Sequence, residues 1–293
     1  MKLSLSLLTA LMGAVTGLAQ GVSVELSMDQ QYFLPGESLI VKVRVTNYSG
    51  QNLNLGQEED WLTFNIEGRK KDAVVSRLGP VPVKGEYTLE SSRTGTKAVE
   101  LAPYFDLSRP GNYTISAMVK IPQWGRSVQS PTKTFNIIRG SPLWEQEFGV
   151  PQLAGVSEER PEIRKYALVQ TIHQKHITLY FRLSDEADTR IFKIFPIGPM
   201  VSLSQPEPQL DKFSNLHLLY QITARSFSYS AISPDGLVIA RETYDHSDTK
   251  PKLRADTDGR IRVVGGVRRF TSEDLPPPSL TSTSSSDAAP PRP

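Results

Sequence analysis

The chain of 293 residues contains no cysteine. That absence excludes disulfide staples, thiolate nucleophiles, zinc–thiolate sites and the lipid anchor of a lipoprotein, which needs a cysteine at its cleavage point. A surplus of one charge is missing too. With 33 Lys and Arg against 31 Asp and Glu there is no nucleic-acid footprint, and no nucleic acid is expected among the partners. Beyond residues 1–19, no run is long and apolar enough to span a membrane. The sequence also lacks a Gly-x-Ser-x-Gly elbow, a phosphate-binding glycine loop, a His-Glu-x-x-His helix motif and a dinucleotide fingerprint. Neither an enzyme nor a cofactor is therefore expected. A pair of carboxylates of the glycoside-hydrolase kind would escape this reading, because their separation is invisible in sequence.

What is present begins with an export signal. Lys2 supplies a positive start, Leu3 to Leu18 an apolar stretch, and Gly17-Leu18-Ala19 the small residues a signal peptidase requires, so Gln20 is expected to open the mature chain. An exported protein without disulfides depends on its cores alone, which suits a bacterial envelope and a periplasmic or extracellular location. The sequons at Asn47 and Asn112 would accept a glycan only in a eukaryotic secretory pathway.

Residues 20–140 read as one β-domain. Pro35-Gly36 turns the chain into a strand in which Leu39, Val41, Val43 and Val45 face one way and Ile40, Lys42, Arg44 and Thr46 the other. The same period of two runs through Val22, Val24 and Leu26, through Leu62, Phe64 and Ile66, and through Tyr113, Ile115, Ala117 and Val119. Leu53–Leu55 and Thr134–Ile138 add shorter strands. Short strands without helical periodicity between them predict a β-sandwich. The residues Pro35-Gly36-Glu37, the Val-x-Val-x-Val-Thr-Asn that follows, and Pro110-Gly-Asn-Tyr-Thr-Ile115 resemble bacterial immunoglobulin-like domains. Among those they are similar to the family called intracellular proteinase inhibitors. The resemblance covers about 110 residues of this domain and implies an immunoglobulin-like sandwich. As a function it implies protease inhibition, which would need an exposed rigid loop.

Two features of this domain bear on binding. Glu58-Glu59-Asp60 before Trp61 reads as a solvated loop beside a core tryptophan. Trp124 and Arg126 lie at the tip of a hairpin predicted between Val119 and Val128, and a tryptophan beside an arginine is the composition of a binding hot spot. The other reading of Trp124 is a ring folded back to cap the sandwich.

Gly140-Ser-Pro142 breaks the pattern and marks the boundary of a second antiparallel β-domain over residues 141–270, a sandwich or a small barrel. Its best-defined element is a hairpin joined at Gln174-Lys175. The predicted register sets Tyr166 against Leu183, Leu168 against Phe181 and Ile172 against Ile177 on one face. Val169 against Tyr180, Thr171 against Thr178 and His173 against His176 occupy the other. The facing histidines invite a metal reading, but a site needs a third or fourth donor, and only His217 and His246 remain besides carboxylates the sequence does not place. Gln205–Gln209 carries alternating prolines that bar it from a central strand. Ser233-Pro-Asp-Gly236 and Asp256-Thr-Asp-Gly259 read as turns, the latter because Arg254 and Gly265 occupy the ends of a would-be calcium loop. Arg260, Arg262, Arg268 and Arg269 form a basic end, the second candidate surface after Trp124 and Arg126. Residues 271–293, rich in Pro, Ser and Thr, read as a flexible tail. The expectation is an exported all-β protein that binds an envelope protein or a surface polymer. A protease inhibitor and a hydrolase are the alternatives.

Overall fold

A computed structural model describes residues 21–69, 75–151, 162–173 and 176–275. The signal at residues 1–19, the Gln174-Lys175 loop and residues 276–293 of the tail lie outside the described residues. In chain order the strands are β1 (Val22–Ser27), β2 (Tyr32–Phe33), β3 (Ile40–Asn47), β4 (Leu53–Leu55), β5 (Leu62–Gly68), β6 (Tyr87–Leu89) and β7 (Thr94–Glu100). There follow β8 (Gly111–Ile121), β9 (Arg126–Gln129), β10 (Lys133–Ile137), β11 (Ser141–Gly149), β12 (Ile163–His173), β13 (His176–Asp185) and β14 (Ile191–Met200). The last are β15 (Glu207–Leu210), β16 (Leu216–Gln221), β17 (Ser226–Ile232), β18 (Val238–Asp245), β19 (Lys252–Ala255), β20 (Ile261–Val264) and β21 (Val267–Arg269). The fold is all-β, and among the described residues no sheet closes into a barrel.

The chain divides into two compact units. One takes the residues up to Gln31, Ile40–Phe105 and Asn112–Phe135; the other takes Tyr32–Leu39, Asp106–Gly111 and Asn136 onward. In the first unit β3 is the middle strand of the antiparallel sheet β1-β3-β7. Its alternation is realised as expected: Val41, Val43 and Val45 are buried while Ile40 and Arg44 are exposed. In the other main sheet of this unit, β5 pairs with β8 so that Leu62 opposes Val119 and Ile66 opposes Ile115, all buried. β7 had no apolar alternation to reveal it, since Val99 is its one buried side chain.

Two polar details explain local order in this unit. Trp61 is buried, and its indole Nε1 donates to the Val83 carbonyl at 3.0 Å. The acidic loop before it is an ion-pair station, with Glu58 and Asp60 both on the Lys120 ammonium. Asn47 is fully buried. Its amide donates to the carbonyls of Gln51 and Leu89, while its oxygen accepts from the backbone and hydroxyl of Ser49. An amide committed in this way is inaccessible to glycosylation in the folded chain, so that sequon is a turn device.

The second unit is layered. The sheet β11-β12-β13-β14 packs one face against the sheet β15-β16-β17-β18-β21, through Tyr166, Leu168 and Phe181 on one side and Leu216, Leu218 and Ile232 on the other. The outer face of the five-stranded sheet is covered by the β19–β20 hairpin through Leu253 and Ile261. The outer face of the four-stranded sheet holds a separate cluster of Leu34, Ala167, Val169, Tyr180 and Ile194. The β12–β13 register is the one the alternation predicts, from Tyr166 opposite Leu183 to His173 opposite His176. The Ile172–Ile177 pair is formed at its end, where the hairpin runs beyond the core that Tyr166 and Leu168 enter and Ile172 is 67% exposed. The proline-rich Gln205–Gln209 yields the edge strand β15. Thr271–Leu275, assigned from sequence to the tail, are tied to β18 by reciprocal backbone hydrogen bonds between Leu275 and Arg241 at 3.0 Å.

Tyr166 anchors the inter-sheet core. Its ring is wholly buried, stacks on Phe148 at 4.0 Å between centroids, and donates its hydroxyl to the Ser214 carbonyl at 3.0 Å. Removing a buried aromatic ring costs about 3–5 kcal/mol, whereas an exposed aliphatic away from such features changes stability by about 0.5 kcal/mol or less. Tyr166→Ala is therefore expected to lower the urea midpoint severely. Ile172→Ala, six residues along the same strand, should leave it within experimental scatter.

Candidate functional site

The first sequence candidate, Trp124, closes a 3-10 turn (Pro122–Trp124), and Gly125 in the left-handed region starts β9. The hairpin is present, with Val119 opposite Val128. The indole is half-buried rather than projecting, and the Arg126 guanidinium lies over its ring at 4.7 Å. An arginine stacked in this way covers one face of the ring that a partner would use.

The basic end is largely neutralised. Arg262 faces Asp256 at 3.6 Å, Arg268 bridges Glu242 at 2.5 Å and Asp274 at 3.0 Å, and Arg269 reaches Asp245 at 3.3 Å. Arg260 is exposed on the turn that Asp256 closes by accepting the amides of Asp258 and Arg260. Strand-edge arginines were legible in sequence, but their carboxylate partners, brought from β18 and the segment after β21, were not.

His173 and His176 oppose each other across β12 and β13, and Tyr32 lies against the His173 ring with centroids 3.6 Å apart. No group of three metal donors occurs among the described residues. His217 is buried between two partners. Its Nδ1 is 2.7 Å from the Tyr229 hydroxyl, and its Nε2 is 3.2 Å from Asp211. The Tyr229 hydroxyl and Asp211 thus occupy both ring nitrogens, and burial pushes that phenol's pKa up. Asp211 also accepts the amides of Phe213 and Asn215, so this network shapes the turn between β15 and β16.

The arrangement with room for a ligand lies on the outer face of the four-stranded sheet. Cross-strand pairing sets Glu145 of β11, Ala167 of β12, Arg182 of β13 and Ile194 of β14 in one lateral row. Pro142, Val169 and Tyr180 form the next row. Over these rows a pocket of about 290 Å³ opens, walled by Leu34, Val169, Ile191 and Ile194, with Arg139, Glu145 and Arg182 supplying its charges. Gly140 lets the chain pass close to Val169: a Cβ there would collide with the Val169 Cγ1 and stand 3.2 Å from Leu34 Cδ2. The pocket was missed in sequence because it joins segments distant in the chain. The one signal was the hairpin register, which puts Arg182 on the face shared by Val169 and Tyr180.

The charges at one end of this face are organised by Asp188, held in the left-handed region at φ 56°. Its carboxylate takes the Lys165 ammonium, the Ser184 hydroxyl at 2.6 Å and Arg182 at 3.1 Å. Arg182 in turn reaches Glu145 at 3.4 Å, and its Nε is buried without a hydrogen-bond partner. Arg139, by contrast, is exposed, and no carboxylate of the described residues pairs with it. The site therefore combines apolar walls, one guanidinium with no carboxylate partner among the described residues and one half-exposed carboxylate, with no nucleophile and base pair among its lining residues.

No family model matches the chain, and neither does any curated protein. A solved structure to which it is similar is the sporulation control protein Spo0M of Bacillus subtilis, at 9% identity and a TM-score of 0.32, over 60% of this chain and 91% of that one. A likeness of that degree carries no argument about function.

Partial burial pushes the Asp188 pKa up, but the Lys165 and Ser184 hydrogen bonds and the Arg182 charge outweigh it and hold the carboxyl below its ordinary 3.8. A carboxylate shifted in this direction stabilises the fold fully above the unfolded-state value and loses that contribution as pH falls through the folded-state value. Asp188→Asn should lower the urea midpoint at neutral pH. The gap to the parent should narrow as the pH falls below 3.8 and close only below the lower folded-state value, where the parent's own carboxylate is protonated.

Proposed function

We propose that the protein is an exported, non-enzymatic binding protein of the bacterial envelope, and that it recognises another envelope protein. The first unit is taken as immunoglobulin-like, a rigid carrier rather than a protease inhibitor. The observation that carries the reading is the apolar pocket on the outer face of the four-stranded sheet, with Arg139 unpaired by any carboxylate of the described residues and no catalytic pair in its lining. Concave apolar sites with a few convergent polar groups are the ordinary form of binding sites on rigid scaffolds. Support also comes from the signal-like N-terminus and the absence of cysteine, which suit a disulfide-free envelope protein. The Trp124–Arg126 tip remains the candidate surface on the first unit.

The test immobilises the mature chain and titrates it with an envelope extract of the producing organism, beside Trp124→Ala and Arg139→Glu variants. One defined protein retained saturably, and weakened by Arg139→Glu, is the expected result. Weakening by Trp124→Ala alone would keep the binding class and move the surface to the first unit. Turnover of glycoside or ester substrates, stoichiometric inhibition of a protease, or no saturable retention would each overturn the proposal.

A further inference from the structure

The chemistry of the pocket narrows what enters it. Its volume of about 290 Å³ is at the small end for ligand sites, room for one or two side chains rather than a polymer repeat. Leu34, Val169 and Ile194 are each less than 10% exposed, so the walls are preformed by the fold and need no ordering on binding. An apolar side chain placed there removes apolar surface from water on both partners.

The polar groups then distinguish among apolar ligands. Lys165 and Arg182 are already matched by Asp188 and Glu145, whereas Arg139 has no carboxylate among the described residues. An anion is therefore favoured at Arg139. Glu145 asks for something different. Its side chain is 41% exposed, its bond to Arg182 is long at 3.4 Å, and it still has lone pairs for a donor. A fatty acid would present its carboxylate to Arg139 but offers no N–H for Glu145. A polypeptide offers both groups from one short segment: a backbone N–H for Glu145 and an acidic side chain for Arg139.

From this we infer that the pocket takes a partner's peptide segment in which a leucine-sized apolar side chain is followed by an acidic residue. The inference rests on the binding reading above and names the chemistry of its partner. The apolar side chain enters between Leu34, Val169 and Ile194. The carboxylate pairs with Arg139 at the rim, where exposure limits an ion pair to about 1 kcal/mol or less, roughly a fivefold effect at most.

The experiment follows the methyl groups of Val169, Ile191 and Ile194 by NMR in the full mature chain. The probes are the capped dipeptides acetyl-Leu-Glu-amide, acetyl-Leu-Gln-amide and acetyl-Ala-Glu-amide, with free leucine as a fourth. Acetyl-Leu-Glu-amide should shift these methyls saturably, with a dissociation constant of roughly millimolar order for so small a ligand. Both the Gln and the Ala analogues should bind about threefold or more weakly. In Arg139→Ala the Glu and Gln peptides should become equal while thermal stability stays unchanged, the double-mutant signature of a direct pair. Four results would overturn the inference: no saturable shift at tens of millimolar, shifts confined to other methyls, equal affinity for Glu and Gln in the parent, or binding of free leucine without the capped peptides. Capture of an envelope protein without any such peptide preference would defeat this inference and leave the binding reading standing. The stated peptide preference without a captured protein would do the reverse.

Discussion

The second unit depends on a single constraint: the β12–β13 ladder must bury both of its faces. Successive side chains of a strand point to opposite sides, so the run Tyr166-Ala167-Leu168-Val169 cannot be satisfied by one core. Tyr166 and Leu168 enter the layer against the five-stranded sheet, while Ala167 and Val169 require cover on the other side. That cover comes from Leu34 and Ile138, residues flanking most of the first unit in sequence. A slip of one residue in the ladder would exchange the two cores and bring charged side chains into both. The fixed register is what gives every other feature of the sheet its address.

The pocket is a consequence of incomplete cover. Where Leu34 and Gly140 lie on the sheet the packing is tight, and Gly140 is the residue that allows it, since any side chain there would strike Val169. Where the cover ends, the lateral row from Glu145 to Ile194 is left partly open. Lys165, Arg182 and Asp188 then occupy the polar end of the face. Ions placed beside an apolar layer must be paired, and Asp188, held by the turn after β13, pairs with both cations. Arg139 stands apart from that network, with no carboxylate of the described residues paired to it.

The arginines near the C-terminal end make the opposite case. Charges that look alike in sequence acquire different roles according to what folds beside them. Arg268 and Arg269 are drawn to Glu242, Asp245 and Asp274 by the pairing of β18 with β21 and by the return of residues 271–275. Their charge serves that edge of the sheet. The Trp124 indole meets a similar fate, half-buried and covered on one face by its own Arg126.

Alternation by itself determined that the protein is all-β, which residues of β1, β3, β5 and β8 are buried, and the residue-by-residue register of the β12–β13 hairpin. These are local properties: a period of two, a turn residue and a matched pair of strands are all written within about twenty residues. Turn chemistry was equally legible, as at Ser233–Gly236, where the left-handed Gly236 donates to the Ser233 carbonyl at 2.8 Å. The tertiary structure alone decided that Leu34 covers Val169, that β7 and β6 are strands, that Glu242 holds Arg268, and that Glu145, Arg182 and Arg139 share one pocket. Each of those facts joins segments separated by tens of residues, and no local pattern records a contact made only when the sheets are layered.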